Sequence, residues 1–181
     1  RSREFAHTRR KNLLLRDLDE LVNQQLAKML FANPQRIDYY DRYQEIIDAY
    51  NAEQNRATIE KTFMDLMELA SSLDTEQQRY VREGFSSDEE LSVYDLLFSE
   101  NLTKQEIETI KKVSVDLLTK IKQQIAKLDH WTDKQETKAI VDNLIRNTLW
   151  QELPNSYDVS DIQTYQKKIY EYVYMRYPEV A

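Results

Sequence analysis

Residues 102–128 read LTKQEIETIKKVSVDLLTKIKQQIAKL, and this stretch decides the fold class. Ile107, Ile110, Leu117, Ile121, Ile125 and Leu128 recur with the period of about 3.6 that defines one face of a helix. In front of them, Thr103 and Glu106 form the S/T-x-x-E/Q pattern in which a hydroxyl and a carboxylate satisfy the orphan amides of a helix start. Leu102 and Ile107 stand where a hydrophobic staple packs. A strand would alternate with period two, and nothing here does.

The same reading extends outward in both directions. Ser86–Glu89, Thr132–Gln135 and Ser160–Gln163 repeat the capping pattern. After Thr132 the apolar positions are Ile140, Val141, Leu144, Ile145 and Leu149. A loop at Leu153–Ser156 then precedes a last helix carrying Ile162, Tyr165, Ile169, Tyr172 and Val173. Upstream, a helix over Asn12–Phe31 carries Leu18, Leu21, Val22, Leu26, Met29 and Leu30. It stops at Asn33-Pro34, where Asn33 can cap the next helix with Pro34 at its first position. That helix carries Ile37, Tyr40, Tyr43, Ile47 and Tyr50, and a third carries Ile59, Phe63, Leu66, Ala70 and Leu73. A short helix ends near Gly84, a natural left-handed cap. The expected fold is all-α: about eight helices in an irregular bundle, without significant sheet. The turn after Gly84 divides an N-terminal part, residues 1–84 with four helices, from a C-terminal part, residues 85–181. It is too short for a flexible linker, so the two parts are expected to pack as one domain of a larger polypeptide.

Composition narrows the chemistry. In 181 residues there is one glycine, where average usage gives about 13. A phosphate loop needs two glycines and a dinucleotide fingerprint three, so both are excluded. There is no cysteine, hence no disulfide, thiolate metal site or cysteine nucleophile, which fits a reducing compartment and a cytoplasmic location. No apolar run approaches a membrane span. The net charge of −7 hides an asymmetry, since residues 1–16 carry +5 and the others −12. Starting at Arg1 without a methionine, the chain reads as a piece of something longer.

Three constellations invite a chemical reading. Glu4–His7 has the E-x-x-H spacing of carboxylate-bridged metal bundles, but a second such pair is missing. His130, beside Asp129 and Trp131, reads as a capping or hydrogen-bonding residue. Glu136-Thr137-Lys138 matches the tail of a nuclease signature but falls on the first turns of a helix, where it reads as a solvated face. No catalytic, cofactor-binding or metal-binding residue is assigned. The basic positions Lys111, Lys112, Lys120, Lys122 and Lys127 fit either a solvated face or a phosphate-facing stripe. Five of the twelve tyrosines fall within 165–177, and Tyr170, Tyr172 and Tyr174 cannot all face one core on a helix. They fit both core residues and interface anchors.

Glu90-Leu91-Ser92-Val93-Tyr94-Asp95-Leu96-Leu97 resembles the E-L-x-x-Y-D-L-L element in the C-terminal helical region of type I restriction enzyme R subunits. Upstream, Ile46–Asn51 resembles that family's YN element, followed by an amphipathic helix over Ile59–Leu69. Downstream stand Ile110-Lys111, Val115–Leu118, Asp129-His130-Trp131 and Lys134, with His130 separating an aspartate and a tryptophan that are adjacent in the family. The resemblance spans roughly residues 33–153. It implies a division of labour in which other domains cut DNA and use ATP and Mg2+ to translocate it, so this fragment carries no cofactor. Its helices would dock the motor onto the methyltransferase (M) subunit, with double-stranded DNA reached through the complex. The interface candidates are Trp131, Trp150, Tyr170, Tyr174 and Tyr177; the DNA-contact candidates are Arg9, Arg10, Lys11, Lys111, Lys112, Lys120 and Lys122. The alternative is a stand-alone helical adaptor or regulatory interaction module.

Overall fold

A computed structural model describes residues 2–180 of the backbone, with side chains from Arg9 onward. Among these residues there are eight helices and no strand: α1 (Ser2–Ala32), α2 (Ile37–Ala52), α3 (Arg56–Gln77), α4 (Arg79–Arg82), α5 (Asp88–Leu97), α6 (Lys104–Ala126), α7 (Gln135–Glu152) and α8 (Val159–Arg176). Short 3-10 turns occupy Pro34–Arg36 and Trp131–Asp133. None of the described helices is long and apolar enough to cross a membrane. The helices form two compact units that divide between Arg82 and Glu83.

The first unit runs up, down and up. Lys11 bonds Glu60 (2.6 Å) and Gln25 bonds Asp74 (3.1 Å), both across an offset of 49 residues, so α1 and α3 lie parallel and in register. Arg36 pairs with Glu76 (3.2 Å) and Arg42 with Glu68 (3.1 Å), so α2 runs antiparallel to α3. The core is Leu15, Val22, Leu26 and Met29 of α1, Tyr43 and Ile46 of α2, and Ile59, Leu66, Leu69 and Leu73 of α3. Asn33 caps the turn that opens at Pro34, its side chain accepting from the Gln35 amide (3.1 Å). Leu21, Ile37 and Tyr40, expected on the core stripes, are exposed. In α1 the buried stripe runs 15–22–26–29, and one residue turns a side chain by about 100°.

In the second unit α5 packs on α6, α6 on α7, α7 on α8, and α8 closes back on α5. Thr103 and Glu106 form the expected capping box on α6. The other three expected caps are displaced. α5 is capped by Ser87 rather than Ser86. α8 is capped by Asp158, in a capping box with Asp161, two residues before Ser160, because a carboxylate caps at least as well as a hydroxyl. Thr132 lies inside the 3-10 turn and so cannot take the extended conformation of a cap; α7 opens at the extended Lys134 without a side-chain cap. Gly84 takes the left-handed conformation (φ +85°) just beyond α4, as expected of a helix-terminating glycine.

Candidate interaction surfaces

The lysines of α6 are engaged within the fold. Lys111 pairs with Glu83 (3.2 Å) and stands over the Tyr94 ring. Lys120 bridges Asp116 (3.0 Å) and Glu152 (3.3 Å), tying α6 to α7, and the hydrogen bond to Asp116 raises its pKa. Lys122 is ion-paired with Glu89 of α5 and lies over the Tyr177 ring (5.4 Å). A phosphate-facing stripe needs ammonium groups turned to solvent, and of the four α6 candidates Lys112 is the exposed one. At the start of α1, Arg9 and Arg10 are exposed, while Lys11 is half-buried against Glu60. Arg56 joins the same carboxylate (3.4 Å), and the hydrogen bond from Lys11 holds Glu60 below the usual carboxylate range. The Glu4–His7 pair lies outside the residues whose side chains are described.

The aromatic candidates separate into buried and exposed. Trp131, expected as a surface anchor, is 0% exposed. His130 adopts a left-handed conformation (φ 48°, ψ 52°) that ends the α6 connection, and Trp131 follows inside. Its indole Nε1 donates to the Tyr177 carbonyl (2.7 Å), and its ring meets Tyr170 and Tyr174 edge-on. Tyr177 is also buried, and burial raises its pKa. Trp131 and Tyr177 thus fasten the end of α8 to the 3-10 turn, and their size and polar tips serve the core. Tyr170 is half-buried; Tyr174 and Trp150 stand exposed. Thr137, within the Glu136–Lys138 triplet, donates to the Trp131 carbonyl (2.7 Å), so the triplet is a helix start that braces the turn.

Two features of the first unit escaped the periodicity. One is a buried charge network, in which Glu76 accepts from Arg36 (3.2 Å) and Arg79 (3.0 Å), with Tyr39 Oη at 3.4 Å. Arg36 also donates to the Met29 carbonyl (3.3 Å), joining the ends of α1 and α3 to the start of α2. Burial pushes the Glu76 pKa up, but hydrogen bonds and charge from Arg79 and Arg36 outweigh it and hold the carboxyl low.

The other is an apolar groove of about 350 Å³ lined by Lys11, Leu14, Ile59, Glu60, Phe63 and Met64. It continues along the parallel seam, because the offset of 49 places Leu14 beside Phe63, Leu18 beside Met67 and Leu21 beside Ala70. Leu14 is 50% exposed, Leu21 64%, Met64 67% and Met67 49%. The signal in the sequence was the pair Met64 and Met67 on α3, each one residue after a position of the core stripe.

With these surfaces in place, comparison with known proteins gives the family. A model of the type I restriction enzyme HindI endonuclease subunit-like family, C-terminal, matches residues 2–177. The chain belongs to that family. The match takes in residues 2–32 and 154–177, which the motif resemblance did not reach. No curated protein and no solved structure matches the chain. Family membership makes this the C-terminal part of a type I restriction endonuclease subunit-like protein, within a restriction–modification system.

Proposed function

We propose that this C-terminal domain is an assembly element that docks the DNA-translocating endonuclease subunit onto the M subunit of the methyltransferase core. The observation carrying this reading is the disposition of its side chains. Charged groups on α6 and at the α2–α3 end are turned onto one another, while large apolar side chains stand open on α1 and α3. Large apolar side chains also stand open on α6, α7 and α8, but those along α1 and α3 line one groove, and contiguous exposed apolar surface marks an interaction site. ATP and Mg2+ chemistry belongs, in this reading, to other domains of the polypeptide. Deleting this domain from the full subunit should abolish co-elution with the methyltransferase core on a sizing column. Normal co-elution would overturn the docking role and favour a stand-alone adaptor.

A second reading concerns double-stranded DNA, and the exposed pair Arg9 and Arg10 favours it. With Lys112 they are the candidates turned to solvent, whereas Lys11, Lys111, Lys120 and Lys122 would have to leave their carboxylates first. Solvent-exposed pairs of this kind contribute little, so exchange for phosphate is inexpensive. Replacing Arg9 and Arg10 by glutamine should flatten the log–log salt dependence of DNA binding by the assembled enzyme by about one unit per lost contact. An unchanged slope removes this reading.

A further inference from the structure

The open seam between α1 and α3 has a definite length, floor and charge. Between the bonds Lys11–Glu60 and Gln25–Asp74 it runs 14 residues along α1, about 21 Å or four helical turns. Its floor is Leu18, Phe63 and Ala70, which are partly buried on the core, and its rims are Leu14 and Leu21 on one side and Met64 and Met67 on the other. It opens away from α2, whose neighbours on α1 and α3 are Leu15, Asp19, Thr62 and Leu66. Methionines in such a position adapt to the partner they receive.

The ends differ in charge. At the Leu14 end, Arg10, Lys11 and Arg56 outnumber Glu60 and Asp17; Arg10 lies one turn before Leu14 on the same face and Asp17 one turn after it. At the Leu21 end, Asp74 is offset by Lys28, which falls one heptad after Leu21. A strip about 21 Å long and about 10 Å wide is the footprint of one helix of about four turns. A second copy paired two-fold along the strip would meet the basic end with its own Leu21 end, where Asp74 is already offset by Lys28. A single helix fits both the length and the width. Its C-terminus, carrying the negative end of the helix dipole, belongs at the basic end.

We propose that this groove receives one amphipathic helix of the M subunit, antiparallel to α1 and α3. Its apolar residues, three and four apart, seat between Leu14–Leu18–Leu21 and Phe63–Met67–Ala70, and acidic residues in its last turn face Arg10 and Arg56. This rests on the docking role proposed above and locates it.

The test uses the full endonuclease subunit and the intact methyltransferase core. A photo-cross-linking residue at Met67 should capture the M subunit, in a segment with apolar residues at 3–4 spacing. The pair L21E and M64E should weaken assembly at least tenfold while leaving the thermal transition in place, because both positions are exposed. R10E with R56E should weaken assembly severalfold at low salt and less at high salt. Cross-linking to the subunit's own upstream domains, to a second copy or to DNA would overturn the inference, as would no cross-link or normal assembly of L21E/M64E. If deletion of the domain abolishes assembly while L21E/M64E assembles normally, docking stands and the groove is not its site. If the deleted subunit also assembles, both fall.

Discussion

The two units are built from the same helical alphabet but close differently. Among the residues whose side chains are described, ten buried apolar side chains belong to the first unit and twenty-three to the second. The second unit returns α8 onto α5, encloses Trp131 completely and ties its loops inward, as where Tyr157 Oη donates to the Leu97 carbonyl (2.6 Å). The first has three long helices in an open arrangement. Its α2 covers one side of the α1–α3 pair, the other side is left apolar and exposed, and one end is held by a buried ion network. Three helices can bury one face each and still leave a seam that only a fourth would cover. The contrast is one of closure: the second unit returns its last helix onto α5, and the first leaves one apolar side of the α1–α3 pair uncovered.

The largest expected effect breaks the closed unit. Trp131→Ala removes the largest enclosed side chain and leaves a cavity, which costs about 4 kcal/mol. Hydrogen exchange should show protection lost across α5 to α8 more than across α1 to α3; equal loss in both would contradict the division. Next is Glu76→Ala, which removes the carboxylate that offsets the buried Arg36 charge and should cost about 3 kcal/mol, with protection lost first where α1, α2 and α3 meet. The paired replacement Arg36→Met with Glu76→Leu should recover part of the loss, because the buried Arg36 charge goes with its carboxylate and Arg79, partly exposed, is left to water. The same network predicts a pH dependence. The folded Glu76 pKa is depressed, so its stabilisation is complete above its ordinary value near 4.5 and is lost as pH falls through the lower folded value. Melting followed from pH 6 to 3 should show wild type losing stability more steeply than the Arg36→Met, Glu76→Leu pair; parallel curves would exclude the network as the cause.

Much of this architecture was legible in the residue pattern, and the failures have physical reasons. The eight helices followed from a 3.6 period, Asn33-Pro34 and a lone glycine, each acting within a few residues. Caps slipped by one or two positions where adjacent residues compete, as Asp158 does with Ser160. Burial of Trp131 could not be read, because it depends on the left-handed turn at His130 and on a carbonyl 46 residues away. The engagement of Lys120 and Lys122 depends in the same way on Glu152 and Glu89, each more than 30 residues distant. Arg36 and Glu76 gave no signal either, since charged residues at separate helix ends ordinarily face water. The groove was half visible: the residues were present as a surplus of apolar positions on α1 and α3, but which of two adjacent leucines or methionines turns inward is set by how the helices meet.

A moderate effect sharpens the comparison at a helix start. Thr103→Ala removes one arm of the capping box on α6 and should cost about 1 kcal/mol, whereas Ser160→Ala, beside the true cap Asp158, should change stability by less than about 0.5 kcal/mol. Equal losses in chemical denaturation would mean that the α8 helix begins elsewhere than at Asp158.

The smallest effect is the most discriminating for the open unit, because it sets two neighbouring residues of α1 against each other. Val22 is 1% exposed and packs in the core; Leu21 is turned out into the seam. Val22→Ala should cost about 2 kcal/mol through lost transfer energy and a residual cavity. Leu21→Ala should alter the stability of the isolated endonuclease subunit by less than about 0.5 kcal/mol, since an exposed side chain contributes little to folding. Once the subunit is assembled on the methyltransferase core, the ranking should change: Leu21→Ala then loses part of an interface while the Val22 deficit stays as it was. Melting of both variants, free and in complex, gives four numbers. If Leu21→Ala is as costly in the free subunit as Val22→Ala, the seam is already filled by the polypeptide itself and is not open to a partner.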